Sequence, residues 1–296
     1  MVTVKEINAK FKTREDLVAE DAGYFGKLVE VADKIAVNAE EKPIIMLAGA
    51  SGSGKTTTAK MIESVLDGRG METHVLSLDD YFKTIEPNVP VDLESPDRIN
   101  KDLLSEHFKA LAECREIELP EFDFLTQTSG RSGKKLKRKR GELVIYEGIH
   151  ALNPAIIDDG GRAFRLSVGV FDGLAYDNGV LSPDYIRLLR RISRDRIFRG
   201  REIAETFAFF KSVEEGNIKY IRPYEGVADI SINSFIGYEP MAYKTLVYDD
   251  IKDSIKYLRD DETEIAEEIV AALEKVDGAD ISLIPENSLV REFIGR

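Results

Sequence analysis

Residues 43–58, PIIMLAGASGSGKTTT, combine glycines, a lysine and hydroxyl side chains at a spacing suited to binding phosphate. The stretch from Gly49 to Thr56 fits the pattern G-x-x-x-x-G-K-[ST] at every fixed position. Glycines let backbone N–H groups approach phosphate oxygens, and the following helix directs the positive end of its dipole at the same anion. Lys55 can then reach the terminal phosphates, and the Thr56 hydroxyl can bind Mg²⁺. The alternative is a glycine-rich turn without a ligand.

Acidic residues follow two predicted strands, where they could take part in phosphoryl transfer. Residues 73–78 form one such strand and deliver Asp79 and Asp80 to its carboxyl end, where ligands bind in open α/β sheets. One of these acids can orient and deprotonate an acceptor hydroxyl, although an acid that caps a turn is the alternative. Residues 143–146 form the other strand, which ends at Glu147. We expect Glu147 to hold Mg²⁺ rather than to be a structural carboxylate.

Residues 184–201, DYIRLLRRISRDRIFRGR, form an arginine-rich segment with helical periodicity. Helical spacing places Ile186, Leu189 and Ile197 near one face. The other faces carry Arg187, Arg190, Arg191, Arg194, Arg199 and Arg201. So many arginines in an acidic chain indicate a target of high negative charge, such as a transferring γ-phosphoryl group. We expect a closing lid that stabilises this group, and the alternative is a solvent-facing helix paired with carboxylates.

Apolar strand-like and helix-like segments alternate along the chain, which is typical of a parallel α/β sheet that could position these residues. Strands are predicted at 44–48, 73–78, 143–146, 165–170 and 228–232, with a short extended piece at 117–124. Helices are predicted at 17–40, 57–68, 101–113, 184–201, 211–221, 248–259 and 263–276, and a loop at 88–100. The expected fold class is α/β, with a doubly wound, mainly parallel sheet, flanking helices and an arginine-bearing lid.

Length and composition fit one large domain with appendages. The chain has 296 residues, and its hydrophobic content of 43% is enough for a core. We expect an N-terminal helical extension at 1–42, a central domain at 43–240, and a C-terminal helical segment at 241–296 packed on that domain. The apolar ending at 288–296 is expected to dock on the domain or on another subunit.

Charge and cysteine content exclude several classes of protein. A net charge of −13 argues against general binding to nucleic acid or to an anionic membrane. Cys114 is the only cysteine, so the chain offers neither an intramolecular disulfide nor a thiol cluster for zinc. No apolar run approaches the roughly 20 residues of a membrane span, and the N-terminus lacks a signal-peptide pattern. We therefore expect a cytoplasmic protein without a membrane partner.

A basic run between glycines, residues 130–141, departs from the acidic character of the chain. It could be a mobile hairpin that approaches phosphates, or a weak contact for nucleic acid. The more conservative interpretation is a solvated basic turn.

The chain resembles the uridine kinase / phosphoribulokinase family of P-loop kinases and is most similar to its uridine kinase-like branch. The motifs that carry the resemblance lie in family order between about residues 43 and 235. They are GASGSGKT at 49–56, LSLDDYF at 76–82, ESPD at 94–97, LPEFDF at 119–124, YEGIHAL at 146–152, RLLRRISRDRIFRGR at 187–201 and YEGVADISI at 224–232. The resemblance implies a P-loop NTPase fold, with residues 43–240 as the kinase domain.

The resemblance also implies roles for individual residues. Asp79 matches the base that acts on a ribose 5′-hydroxyl, Arg191 and Arg201 match arginines at the acceptor and phosphate side, and Arg194 matches one on the donor nucleotide. The catalytic set is thus Asp79, Lys55 and Arg191, and the metal set is Thr56 and Glu147. The residues expected to bind the donor are Gly49, Ala50, Ser51, Gly52, Ser53, Gly54, Lys55, Thr56, Thr57 and Arg194.

The acceptor-reading positions depart from the uridine kinase pattern. Phe82 and Phe122 stand where uridine kinases tend to have tyrosines, Glu94 replaces an aspartate that holds ribose hydroxyls, and Gln127 replaces a histidine that helps to read the pyrimidine. Phe209 likewise falls near a glutamine that contacts the base. The catalytic apparatus is thus kept while the acceptor-reading positions have changed, and unmatched polar groups can change substrate discrimination by orders of magnitude.

The end of the Glu147 motif bears on the choice of acceptor. Residues 147–150, Glu-Gly-Ile-His, are similar to the Glu-Gly-Leu-His of phosphoribulokinases, which keeps a sugar phosphate as the alternative acceptor. His150 itself is expected to satisfy a backbone group, and contact with the substrate is the alternative.

The sequence therefore predicts an ATP- and Mg²⁺-dependent kinase that phosphorylates a small-molecule acceptor, a nucleoside such as uridine or cytidine. A phosphoribulokinase-like or other small-metabolite kinase is the alternative. Two alternative hypotheses place the chain in other classes of protein. One is an ATP-dependent regulatory switch, and the other is an RNA-associated protein that uses the basic run. The sequence leaves a homo-oligomer open.

Overall fold

The computed structural model of the chain describes residues 1–86, 91–177 and 179–295. Within these residues the strands are β1 (Val2–Thr3), β2 (Ile44–Ala48), β3 (Thr73–Ser77), β4 (Glu116–Asp123), β5 (Thr128–Lys137), β6 (Leu143–Glu147), β7 (Ala163–Gly169), β8 (Leu174–Tyr176), β9 (Gly179–Leu181) and β10 (Ile230–Asn233). The helices are α1 (Val4–Lys10), α2 (Arg14–Asn38), α3 (Lys55–Asp67), α4 (Lys101–Ala112), α5 (Pro183–Arg199), α6 (Ile203–Tyr220), α7 (Glu239–Ser254), α8 (Asp260–Glu274) and α9 (Arg291–Ile294).

A sheet of parallel strands organises the described part of the chain. Its order is β10–β7–β2–β6–β3, and each neighbouring pair is parallel. The carboxyl ends of all these strands therefore lie along one edge, where ligands bind in open α/β sheets. The expected α/β fold class with flanking helices is confirmed.

Strand β2 is buried on both faces, and its side chains alternate between two cores. Ile45 and Leu47 face a core that includes residues of α2, α3, α5 and α7. Ile44 and Met46 face a second core that includes residues of α4. A strand covered by helices on both faces is expected to be apolar at every position, as the segment IIMLA is.

Several helix bounds differ from the predicted ones. Helix α6 begins at Ile203 rather than near residue 211, and α7 begins at Glu239 rather than near 248. The buried Ile203, Phe207 and Phe210 follow helical spacing and account for the earlier start of α6. Residues 88–90 of the predicted loop lie outside the described residues, and Pro96–Arg98 forms a 3₁₀ turn.

The basic run lies mostly on a strand rather than in a turn. Strand β5 pairs antiparallel with β4, and the register shifts at Pro120, which has no N–H to donate. Along the hairpin, Arg131 pairs with Glu118 at 3.0 Å and Lys135 pairs with Glu116 at 2.9 Å. The hairpin thus balances basic residues of one strand with acidic residues of the other.

Arg138, at the end of the basic run, is buried rather than presented to a ligand. Its guanidinium donates to the carbonyl oxygens of Leu111 at 2.7 Å, Ala112 at 3.0 Å and Glu142 at 2.9 Å. This arginine ties the base of the hairpin to the end of α4, which is a structural role.

The N-terminal and C-terminal segments pack on the sheet domain and share its main core. The Tyr24 hydroxyl of α2 lies 2.7 Å from the Thr58 hydroxyl of α3. Tyr238, before α7, donates to Asp21 of α2 at 2.8 Å. The division at residues 42 and 240 stays a prediction. In the described part of the chain, no helix is both long and apolar enough to cross a membrane.

One buried ion pair links the arginine helix α5 to the start of α7. Arg190 and Glu239 are both fully buried, with two hydrogen bonds of 2.7 and 2.8 Å between them. The Tyr243 hydroxyl also donates to Glu239, at 2.9 Å. Two charges removed from water need this degree of pairing, because an unpaired buried charge is very costly.

Removal of one partner should therefore destabilise the fold strongly. Glu239→Gln is expected to lower the free energy of unfolding by about 3–5 kcal/mol, because Arg190 stays buried without its counter-charge. Urea unfolding measures the change. The control is Asp250→Asn, which removes the partner of Arg196 in a half-exposed pair and should cost less than about 1 kcal/mol. Equal effects of the two substitutions would contradict this role of the buried pair.

Candidate active site

The loop between β2 and α3 adopts a conformation that only glycine accepts readily. Gly52 and Gly54 have φ of 79° and 82°, in the left-handed region. Gly54 is the cap of α3, so the helix begins at Lys55 with the N–H groups of its first turn unused by the helix. This arrangement is an anion site in which the helix dipole and backbone donors act together.

Arginines of α5 hold the outer side of this loop. Arg187 donates to the Ser51 carbonyl at 3.1 Å, Arg190 donates to the Gly52 carbonyl at 3.1 Å, and Arg191 donates to the Ser51 hydroxyl at 2.5 Å. The carbonyls of Ser51 and Gly52 are thereby satisfied from outside the loop. Within the loop, the Ser53 N–H donates to the Ala50 carbonyl at 3.0 Å.

The side chains of α5 do not lie on the faces of the helix that apolar spacing predicts. Arg187, Arg190 and Arg191 are buried with Ile186 and Leu189, whereas Ile197 is 46% exposed. The prediction from apolar spacing was wrong for Ile197, because arginines lie on the inner face of α5, where they bond the loop and Glu239. Arg187 is also paired with Glu214 at 3.0 Å. Arg187 and Arg190 are thus paired with carboxylates, as in the alternative interpretation, but they lie inside the protein.

The strand register brings the two predicted acids to one place. In the parallel sheet Glu147 lies opposite Ser77 of β3 and Leu47 of β2. Asp79 follows Ser77 in the 3₁₀ turn Leu78–Tyr81, next to the carboxyl end of β6. Both carboxylates therefore lie beside the phosphate loop at the edge of the sheet where ligands bind.

Thr56 and Glu147 form a donor set suited to a hard divalent cation. The Thr56 hydroxyl donates to the Glu147 carboxylate at 3.3 Å. Oxygen ligands of this kind are the ones that Mg²⁺ prefers, with water and phosphate oxygens completing its coordination. The residues present fit the metal that the sequence predicts.

Burial makes the carboxylates at this edge unusually difficult to ionise. It raises the pKa of Asp79 and of Glu147, and the neighbouring Lys55 opposes both shifts. Burial also raises the pKa of Asp80. A carboxyl whose pKa is raised is a stronger base when ionised, which suits proton abstraction from a hydroxyl.

Glu94 reaches the same site from the loop before α4. Its side chain packs on Gly216 of α6, where an added Cβ would lie 2.3 Å from the Glu94 Cβ. Burial raises the pKa of Glu94, opposed by Arg191 and Lys55. Close approach of α6 at a glycine therefore allows Glu94 to face the cations around the loop. Burial also lowers the pKa of Arg191, to about 10.

Three phenylalanines form the wall beyond Asp79. The Phe82, Phe122 and Phe124 rings pack edge to face, with centroid distances from 5.2 to 6.5 Å. Phe82 and Phe122 are buried. Gln127 lies at the turn of the β4–β5 hairpin, where its amide donates to the Phe124 carbonyl at 2.7 Å. The substrate-reading roles of these residues stay predictions.

Arg98 belongs to the site, although its place in a Pro-Asp loop sequence gives no signal of this. Its guanidinium lies 4.2 Å from the centroid of Phe82 and 5.7 Å from that of Phe122. Burial lowers the pKa of Arg98, and the charges of Asp79 and Glu94 oppose the shift. Among the described residues its Nε and Nη2 atoms are buried without a hydrogen-bond partner. These donors are available to a ligand.

His150 is buried in the loop after β6, with its ring against Tyr220 at 6.3 Å between centroids. Neither ring nitrogen meets full hydrogen-bond geometry within the described ranges, but the backbone of Glu94 lies close enough to the ring to favour its charged form. The expected bond to a backbone group therefore stays a prediction. Burial lowers the pKa of His150 to about 4, and the ring is therefore neutral near pH 7. Contact with the substrate stays a prediction for this residue.

The remaining three arginines of the predicted set, Arg194, Arg199 and Arg201, share one buried acid. Asp195 lies 3.6 Å from Arg194 and 3.1 Å from Arg201, and its side chain is fully buried. The Arg201 guanidinium also lies 4.8 Å from the centroid of Phe209. The structure thus pairs Arg201 with Asp195 and Phe209, and its predicted role at the acceptor is not tested.

Comparisons with known proteins identify relatives of the chain. The family model described as Phosphoribulokinase / Uridine kinase family matches residues 44–237. A uridine kinase of Ligilactobacillus salivarius is 30% identical over 202 residues, which cover 66% of this chain and 87% of that protein. A uridine kinase of Staphylococcus aureus strain Newman is 30% identical over 195 residues, covering 64% and 86% respectively.

A solved structure gives a likeness in fold. The crystal structure of a putative fructose transport system kinase from a Silicibacter species aligns with a TM-score of 0.51 at 17% identity. The alignment covers 69% of this chain and 98% of that chain.

The raised pKa of Asp79 predicts that ionisation of this carboxyl lowers the free energy of unfolding of the protein. The wild-type protein loses stability as pH rises through the folded-state pKa of Asp79, whereas Asp79→Asn has no proton to lose. The variant should therefore be more stable at pH 7, by about 1.4 kcal/mol for each unit of pKa displacement. The gain should shrink toward about pH 4, where the wild-type carboxyl becomes protonated.

Urea unfolding of the nucleotide-free protein across this pH range measures the gain. The matched control is Asp123→Asn, because hydrogen bonds from Leu125 and Thr126 lower the pKa of that exposed carboxyl. The control should show no gain at neutral pH. A loss of stability in Asp79→Asn at pH 7 would show instead that Asp79 supports the fold.

Proposed function

The chain belongs to the phosphoribulokinase / uridine kinase family, and from this we propose that it is an ATP- and Mg²⁺-dependent kinase for a hydroxyl group of a small molecule. The observation that carries the proposal is the convergence of Lys55, Asp79 and Glu147 at one edge of the sheet. The charge of Lys55 opposes the raised pKa of Asp79 and of Glu147, and the charge of Asp79 helps to raise the pKa of Glu147. Phosphoryl transfer requires these parts: a phosphate-binding cation, a metal-binding oxygen and a base.

Donor binding falls to the loop and the first turn of α3. Backbone N–H groups of residues 49–54 and the Lys55 ammonium bind the β- and γ-phosphates. Thr56 and Glu147 would hold Mg²⁺, which when bound supplies positive charge against the phosphate oxygens. Arg191, fixed to Ser51, lies beside the same loop and neutralises charge as the phosphoryl group moves. Arg194 is the proposed contact for the donor nucleotide and Arg201 for the acceptor and phosphate side, and both pair with Asp195 in this structure.

Acceptor activation falls to Asp79. Its carboxylate accepts the proton of the attacking hydroxyl and orients that oxygen in line with the γ-phosphorus. Glu94 faces the same cations and holds further hydroxyl groups of the acceptor. The aromatic wall at Phe82 and Phe122 excludes water from the transfer, which limits hydrolysis of ATP.

The relatives named uridine kinases support a nucleoside, such as uridine or cytidine, phosphorylated on its 5′-hydroxyl. Arg98 supports a second candidate, an acceptor that carries a phosphate or carboxylate, as a sugar phosphate does. A guanidinium with two unused donors matches the paired oxygens of such a group.

Consumption of ATP with Mg²⁺ tests the activity against nucleosides, ribulose 5-phosphate, pantothenate and nicotinamide riboside. We expect one acceptor class to stimulate turnover strongly. Asp79→Asn should reduce that turnover by about 100-fold or more while ATP binding, measured by calorimetry, stays close to wild type. ATP hydrolysis that no acceptor stimulates would favour a regulatory switch. Loss of ATP binding in the variant would contradict the assignment of Asp79 as the base.

Substitution of Arg98 separates the two acceptor classes. Arg98→Met should raise KM for an anionic acceptor by roughly 10- to 100-fold, because a charge-assisted hydrogen bond is lost. KM for a neutral nucleoside should change by less than about threefold. Arg115→Met, at an exposed arginine that pairs with Glu113 at 2.9 Å, serves as the control. An unchanged KM for every anionic acceptor would remove the second candidate.

A further inference from the structure

The end of the chain packs against the phosphate loop. We call residues 288–295 the C-terminal segment. Leu289, Val290 and Phe293 of this segment are buried, so it belongs to the folded core and does not lie free. The Ser288 hydroxyl donates to Asp21 of α2 at 2.9 Å and lies 2.6 Å from the Tyr238 hydroxyl. These contacts fix the segment between α2 and the loop before α7.

Two side chains of the segment reach the loop and the first turn of α3. Leu289 covers Gly54, where an added Cβ would lie 3.0 Å from the Leu289 Cδ1. The Thr57 hydroxyl donates to the Glu292 carboxylate at 2.5 Å. Glu292 therefore lies one residue beyond the Lys55–Thr56 pair that the donor requires.

Phe293 of the C-terminal segment packs against an arginine that also holds the phosphate loop. Its ring lies 4.9 Å from the guanidinium of Arg190, which also donates to the Gly52 carbonyl at 3.1 Å. The segment and the phosphate loop thus share one buried arginine. The packing of Leu289 and Phe293 therefore fixes the backbone position of Glu292 relative to the loop.

The charge of Glu292 lies in the field that attracts phosphate. A carboxylate at the first turn of a helix is stabilised by the positive end of the helix dipole, as a bound phosphate is. Burial lowers the pKa of Arg194 and repulsion from Arg199 lowers it further, whereas Asp195 and Glu292 oppose the shift. Glu292 therefore offsets positive charge of both α3 and Arg194, where the donor nucleotide is expected to bring its own negative charge.

Space beside this contact is open. A groove of about 1160 Å³ begins at Thr57 and runs between α2, α3 and the chain that leads into the C-terminal segment. Its lining includes Phe25, Lys60 and Met61. The groove reaches Thr57 and Leu289, but none of residues 49–56 lines it.

We propose that Glu292 is a specificity-determining residue of the donor site, whose carboxylate competes with the phosphates of the nucleotide for the first turn of α3. The inference rests on the proposed function, because it requires that the loop bind a nucleotide. It goes further by giving the C-terminal segment a role in setting donor affinity. The carboxylate weakens binding of every phosphorylated donor and has no such effect on an uncharged nucleoside.

Binding of MgADP and of adenosine to the full chain, measured by calorimetry, tests this proposal without an acceptor or turnover. Glu292→Gln keeps the size of the side chain and an acceptor for Thr57 but removes the charge. It should bind MgADP roughly 3- to 10-fold more tightly than wild type at low salt, with adenosine binding unchanged. The difference in MgADP affinity between Glu292→Gln and wild type should become smaller at about 1 M salt, because screening weakens interactions between charges.

Glu267→Gln is the matched control, since it makes the same charge change at an exposed position of α8 that does not line the groove. It should leave MgADP binding at the wild-type value, and thermal unfolding of both variants confirms that they fold. Should Glu292→Gln misfold, Glu292→Asp, which keeps the charge but withdraws it by one methylene, should still bind MgADP more tightly than wild type.

Unchanged or weaker binding of MgADP by a folded Glu292→Gln would contradict the proposal that Glu292 competes with the phosphates. An equal increase in adenosine affinity would contradict it as well. Absence of MgADP binding by the wild-type protein would overturn the proposed function and this inference together. MgADP binding by wild type without a gain in the variant overturns only the role of Glu292.

Discussion

A phosphate loop can turn its N–H groups toward an anion only if its carbonyl oxygens are satisfied elsewhere. In this protein the donors come from α5, where Arg187 and Arg190 bond the carbonyls of Ser51 and Gly52. Arg190 needs a buried counter-charge in turn, and Glu239 at the start of α7 supplies it. The conformation of the loop, the burial of α5 and the position of the C-terminal helices therefore depend on one another.

The same constraint explains why the arginines do not form a solvent-exposed lid surface. Every arginine of the predicted set holds either the loop or Asp195: Arg187, Arg190 and Arg191 contact the loop, and Arg194, Arg199 and Arg201 pair with Asp195. Carboxylates collect opposite them at the ends of β3 and β6. Burial raises the pKa values of Asp79 and Glu147, so stability is lost at the place where charge is needed for chemistry.

Local signals were enough to predict much of this arrangement. The loop, β2, β3 and β6 each have a continuous pattern in the sequence, and the parallel sheet then brings Asp79 and Glu147 together. Arg98 could not be predicted, because its role comes from stacking on Phe82 across the fold. Helical spacing groups Ile197 with Ile186 and Leu189, yet Ile197 is exposed, because apolar periodicity cannot reveal that arginines occupy the inner face of α5.

Transfer of a labelled γ-phosphoryl group from ATP tests the central claim most directly. If the loop, Asp79 and Glu147 form a kinase site, the label should move to a small-molecule acceptor, and little should be released as inorganic phosphate while that acceptor is present. Asp79→Asn should abolish the labelled product without abolishing binding of ATP. Release of all the label as inorganic phosphate, at a rate independent of every acceptor, would contradict the account.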